Sequence, residues 1–151
     1  MKKVHWSRSL VRINACKEAV EWCSKQPSRQ AAWDACVRPD WLLFALDKSG
    51  TLSDKDWRLL ACALARTALP YAGEAREVCE ATISVAERHA RGEATDEELS
   101  AAWSAARSAA WSAAWSAAWS AAWSEAWSAQ CDAIRGMCPE HRLPALKKAA
   151  R

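Results

Sequence analysis

The chain has 151 residues, four Gly, five Pro, one Tyr and one Phe. That scarcity of turn formers and β-branched or aromatic strand runs excludes a sheet protein and predicts an all-α fold, on a chain long enough to bury a core. A net charge of +3 is too mild to point to nucleic acid, although Lys2, Lys3, Arg8 and Arg12 make the start basic and the tail after Arg135 is basic again.

In chain order, Leu10, Ile13, Cys16, Val20 and Cys23 recur at three- and four-residue steps and predict a helix from Ser9 to Ser24, ended before Pro27. Ser28 is placed to cap RQAAWDACV, which must close near Arg38 because Pro39 restricts its predecessor. Asp40 opens DWLLFALDK, and Gly50 stops it. Ser53, Asp54 and Asp56 start a helix running to Pro70, and another spans Glu74 to Arg91 before Gly92. Thr95 and Glu98 form a capping box for the last helix, expected to continue unbroken to Arg135. Such a rod would be about 60 Å long.

This rod carries Trp103, Trp111, Trp115, Trp119, Trp123 and Trp127 at four-residue multiples, with Arg107 in the same register. Each four-residue step turns about 400°, so the indoles drift by about 40° per step and spiral around the axis. A spacing of four fits neither a left-handed nor a right-handed supercoil. The expectation is a central helix whose indoles are core, wrapped by shorter helices in an orthogonal or elongated bundle forming one domain over residues 1–151. The alternative use of the spiral is a homo-oligomer interface through the long helix. Ser at every fourth position argues against a membrane span.

Seven cysteines sit in apolar helical patterns, and no apolar stretch follows the first residues. Cytoplasmic location and reduced, packed thiols are therefore expected. Cys16/Cys23 and Cys131/Cys138 are each seven apart, which is core spacing. Cys138 and His141 could supply half of a zinc site but no second half accompanies them, so neither metal nor cofactor is expected.

No metalloprotease, nucleophile-elbow, phosphate-loop or dinucleotide motif occurs, and the chain is expected not to be an enzyme. The densest cluster is WDACVRPDW, residues 33–41. Asp34 and Arg38 stand at i, i+4, suited to a helix ion pair, while Asp40 is placed to cap the next helix. The functional alternative makes Trp33, Asp34, Arg38, Asp40 and Trp41 a candidate binding pocket. Cys36 within it is expected to pack rather than react.

The segment AWDACVRPDWLLFAL, followed by ACALARTALPY, ARGEATDEELSAAW and CDAIR in that order, resembles the immunity-protein-five-like family of immunity proteins found in phage and bacterial genomes. The likeness covers residues 15–137, and this chain departs from it by using Trp-Ser-Ala-Ala units in the long helix. The resemblance implies a non-enzymatic inhibitor that neutralises a toxin or effector protein by direct binding. The alternative it leaves is a phage anti-defence protein, either an inhibitor of a nuclease or CRISPR system or a sponge for a signalling nucleotide. Nucleic acid and membrane are not expected partners.

Overall fold

The computed structural model describes residues 5–113 and 122–137, with side chains for 5–107 and 127–137. Among the described residues every regular element is helical, so the fold is all-α. The chain forms two compact units, the first described from His5 to Thr51 and the second from Leu52 to Met137.

In the first unit, α1 (Arg8–Val11) and α2 (Lys17–Ser24) replace the single helix expected from Ser9 to Ser24. Asn14 takes φ 59°, and the Ala15 N–H reaches back to the Leu10 carbonyl while the Asn14 N–H bonds to Val11. That pair of bonds closes a helix in the Schellman manner, with Asn in the left-handed position it tolerates better than most residues. The apolar periodicity continues across this break, which is why it conceals it. α3 (Arg29–Ala35) starts where Ser28 accepts from the Ala31 N–H. α4 (Pro39–Ser49) begins with Pro39 at its first position and ends at Gly50, φ 60°. Asp40 thus lies in the first turn, one residue inside the helix, rather than at the cap.

The second unit opens with α5 (Asp54–Ala68), whose Ser53–Asp56 capping box is complete. Two 3-10 turns, Leu69–Tyr71 and Gly73–Ala75, lead into α6 (Arg76–Ala90). Gly92, φ 79°, ends α6, and the Glu93 N–H bonds to the Arg88 carbonyl. The reciprocal Thr95–Glu98 hydrogen bonds, 2.8 and 3.2 Å, then start α7 (Asp96–Ala113) as the sequence predicts. α8 (Ala122–Met137) runs through Gly136. α5 and α7 pack on α6, and α8 packs on α5. The expected continuity of the long helix across 114–121 lies outside the described residues.

The best-shielded side chains are Leu46 in the first unit and Leu60, Cys131 and Ile134 in the second. Between α5 and α6, Cys62, Leu69 and Ile83 form a cluster that Cys79 and Ala86 flank. Arg66 on α5 grips Glu87 on α6 through two bonds, 2.8 and 3.0 Å, and this holds the Glu87 carboxyl below the usual carboxylate range.

The core role expected of the indoles fails at Trp103, which is 63% exposed. On α7 the half-buried positions are Leu99, Ala102 and Ala106, spaced by three and then four residues. Helices pack along seams whose steps average about 3.5 to 3.6 residues, and a strict step of four drifts out of such a seam by about 40° with each step. Trp127, by contrast, shares its stripe with Cys131 and Ile134 and is half-buried. Side chains of Trp111, Trp115, Trp119 and Trp123 lie outside the described residues.

Candidate functional site: an indole-walled pocket in the N-terminal unit

The first unit holds a pocket of about 380 Å³. Its walls include Trp6 and Ile13 from the α1 region, Trp22 and Cys23 from α2, Trp33 from α3, and Trp41 and Phe44 from α4. Trp33 is buried, whereas Trp6, Trp22 and Trp41 are half-buried. Trp6, which precedes α1, and Trp22 on α2 thus reach the pocket from either side of the break at Asn14.

Two of the walls are fixed by specific contacts. The rings of Trp22 and Trp41 meet with centroids 5.9 Å apart at 55°, a tilted arrangement that suits the aromatic quadrupoles. The Trp6 indole N–H donates to the Gln26 carbonyl at 3.3 Å, tying the first helix to the end of α2.

The polar part of the pocket includes the Arg38–Asp40 pair, beside Arg29 and Asn14. Arg38 donates from Nε and a terminal nitrogen to the two Asp40 oxygens, at 2.9 and 2.7 Å. Its guanidinium also stacks 4.8 Å from the centre of the Trp41 ring. The hydrogen bonds hold the Asp40 carboxyl below its ordinary range and push the Arg38 guanidinium up. Both partners therefore stay charged, and each largely neutralises the other.

This pairing differs from the Asp34–Arg38 bridge that the spacing predicts. α3 ends at Ala35 and Cys36 is extended, with φ −68° and ψ 125°, so Arg38 is no longer one helical turn above Asp34. Asp34 accepts from Gln30 at 2.9 Å instead and does not line the pocket. Trp33, Arg38, Asp40 and Trp41 do line it.

Cys16, Cys23 and Cys36 also contribute to the lining. Burial, and the neighbouring Cys36 and Cys16 thiols, push the Cys23 thiol up to about 11, so it is protonated at neutral pH. Cys36 is buried with its thiol 3.5 Å from the Arg38 carbonyl, a packing and hydrogen-bonding role. Among the described residues no group of three or more His, Cys, Asp or Glu could hold a metal ion. The Cys138–His141 half-site lies outside the described residues.

The sequence does not single out Trp6, Trp22 and Phe44, since they stand outside the WDACVRPDW window. The signal it does hold is Trp22, three residues after Ala19 on the apolar stripe of α2.

The described residues form an all-helical fold with an aromatic-walled recess that includes the Arg38–Asp40 ion pair. Comparison with known proteins finds no matching family model, no matching curated protein and no matching solved structure. No described helix is long and apolar enough to cross a membrane.

Proposed function

We propose that this chain is a non-enzymatic binding protein that inhibits a partner protein by occluding its surface. In this reading the pocket walled by Trp6, Trp22, Trp33 and Trp41 receives an apolar or aromatic anchor side chain from that partner. The observation carrying the proposal is those four indoles around one open recess. Tryptophan and arginine dominate the energetic centres of protein interfaces, where a side chain of one partner fills a dry pocket in the other.

Charge weighs against the competing ligand class. The ionic residues of the lining are Arg29, Arg38 and Asp40, and Asp40 takes up the charge of Arg38. One net positive charge is a poor match for a nucleotide phosphate chain, which is recognised by converging unneutralised donors. An uncharged anchor needs no such set. The reading agrees with the resemblance to immunity proteins, for which the partner would be a toxin or effector. The guanidinium stacked on Trp41 favours a second reading, a sponge for a signalling nucleotide sandwiched on that surface.

The test is recovery of a tagged chain from cells carrying its natural neighbours, followed by mass analysis of everything retained. A stoichiometric protein complex that is lost with Trp41→Ala and kept with Cys36→Ala supports the proposal. A nucleotide bound at unit stoichiometry, or a complex indifferent to Trp41→Ala, overturns it. A nucleotide would also raise the melting temperature in proportion to the logarithm of its concentration over its dissociation constant.

A further inference from the structure

The second unit carries a second concavity. α5 and α7 both pack on α6, and a groove of about 700 Å³ lies between them. Its α5 wall is Ala61, Ala65 and Ala68, its floor includes Ile83 and Ala86, and its α7 wall is Leu99, Trp103 and Ala106. Small side chains on the wall let another helix approach closely. Beside this hollow stands the exposed Trp103 ring, a protrusion next to a recess on one surface.

We infer that this face is the interface between two copies of the chain, paired about a two-fold axis with their α7 helices antiparallel. The order of residues along one face of α7 carries the inference. At about 100° per residue, Leu99, Trp103, Asp96 and Arg107 fall within roughly 80° of one another. That face therefore reads acid, apolar, apolar, base from its N-terminal to its C-terminal end. Only an antiparallel arrangement of two such faces sets Leu99 against Trp103 of the second copy and brings Arg107 within one turn of its Asp96. A two-fold interface demands this self-complementarity, with residue i meeting j while j meets i.

The charges involved are available for it. Arg107 is exposed and makes no ion pair among the described residues. Asp96 shares a 2.6 Å hydrogen bond with His89 through one oxygen, yet its side chain is 92% exposed. Antiparallel pairing also opposes the two helix dipoles favourably. The indole of each copy enters the alanine-walled groove of the other, so both grooves fill at once. The exposed parts of the two indoles bring on the order of 200–300 Å² under cover, and Leu99 with the alanine wall adds to that apolar patch. This inference concerns the second unit alone and does not depend on the pocket reading above.

Sedimentation equilibrium over a concentration series tests it, with the full chain of 16.7 kDa. Wild type is expected to double its mass as concentration rises, and Trp103→Ala to remain monomeric with an unchanged circular dichroism spectrum. Arg107→Glu and Asp96→Lys should each weaken self-association at least tenfold, because each sets like charges together. Mixed in equal amounts, these two variants should form a mixed dimer. In it the two substituted side chains face each other with opposite charges, and at the other end of the interface the unchanged Arg107 of one copy meets the unchanged Asp96 of the other. A monomer at every concentration, a Trp103→Ala chain that still dimerises, or a mixture no tighter than its components would overturn the inference. Melting curves of both charge variants establish that each is folded.

Discussion

In the N-terminal unit the indoles turn inward around a recess, with Trp33 only 9% exposed, whereas in the C-terminal unit Trp103 stands 63% exposed on the rim of an alanine-walled groove. The residue type is the same, and helices carry both. The difference lies in spacing relative to the packing seam. Trp33 follows the buried Ala32 on a short helix whose neighbours approach from several directions. Trp103 sits one residue beyond Ala102 on a helix whose seam to α6 runs through Leu99, Ala102 and Ala106. A tryptophan is core when it falls on the seam and contact surface when it falls off it, whatever the regularity of the repeat that supplies it.

Charge divides the two concavities in the same way. The pocket holds a guanidinium already clamped by Asp40 and stacked on an indole. On the α7 face beside the groove, Arg107 and most of Asp96 face water. A recess whose Arg38–Asp40 pair neutralises itself suits an uncharged anchor, while the exposed ends of opposite sign on α7 are what the proposed self-pairing uses.

The strongest way to break the contrast is to truncate both indoles and measure denaturant unfolding. Trp33→Ala should cost about 3–5 kcal/mol, the loss typical of a large buried aromatic. Trp103→Ala, measured below the concentration at which chains associate, should stay within about 0.5 kcal/mol. Next in size, Ile134→Ala removes a side chain with no exposure and should cost about 2–5 kcal/mol, while the half-buried Trp127 on the same stripe should respond more to truncation than Trp103 does.

A smaller effect concerns pH. Arg66 holds Glu87 below its ordinary range, so the folded-state value lies under the unfolded one. The pair's contribution is therefore present at neutral pH and disappears as pH falls from roughly 4.3, the ordinary glutamate value, through the folded-state value. Because both groups keep some contact with water, it amounts to no more than about 1 kcal/mol. Glu87→Gln should flatten the acid limb of a stability–pH curve by that amount, and an unchanged limb would show that the pair contributes nothing. The smallest expected difference is kinetic. Iodoacetamide at a pH of about 8, near the ordinary thiol value, should modify the exposed Cys16 well before Cys23, whose thiol is pushed up to about 11. Equal rates, read by mass mapping, would contradict the half-buried position and raised thiol of Cys23.

Much of the fold was legible because helix ends are written in local chemistry. Ser28, Ser53 and Thr95 cap the helices they announce, and Gly50 and Gly92 end theirs with positive φ. The break at Asn14 was not legible, because the apolar spacing runs through it and only the backbone shows asparagine in the left-handed region. The Asp34–Arg38 bridge requires that α3 last to Arg38, and the constraint that Pro39 imposes loosens that turn. Two of the pocket's four indoles, Trp33 and Trp41, are visible in one window of sequence. Trp6 and Trp22 are not, since tertiary packing alone brings them to Trp41. For the described parts of the repeat, periodicity announces helix but does not reveal which stripe of α7 meets α6.

The most direct measurement is hydroxyl-radical footprinting of individual tryptophans at a low and a high protein concentration. The account expects Trp33 to be modified slowly at both, and Trp103 to be modified rapidly when dilute and several-fold more slowly when concentrated. If Trp103 were as protected as Trp33 in the dilute sample, the indoles of the repeat would be core after all, and the distinction between seam and surface would not hold.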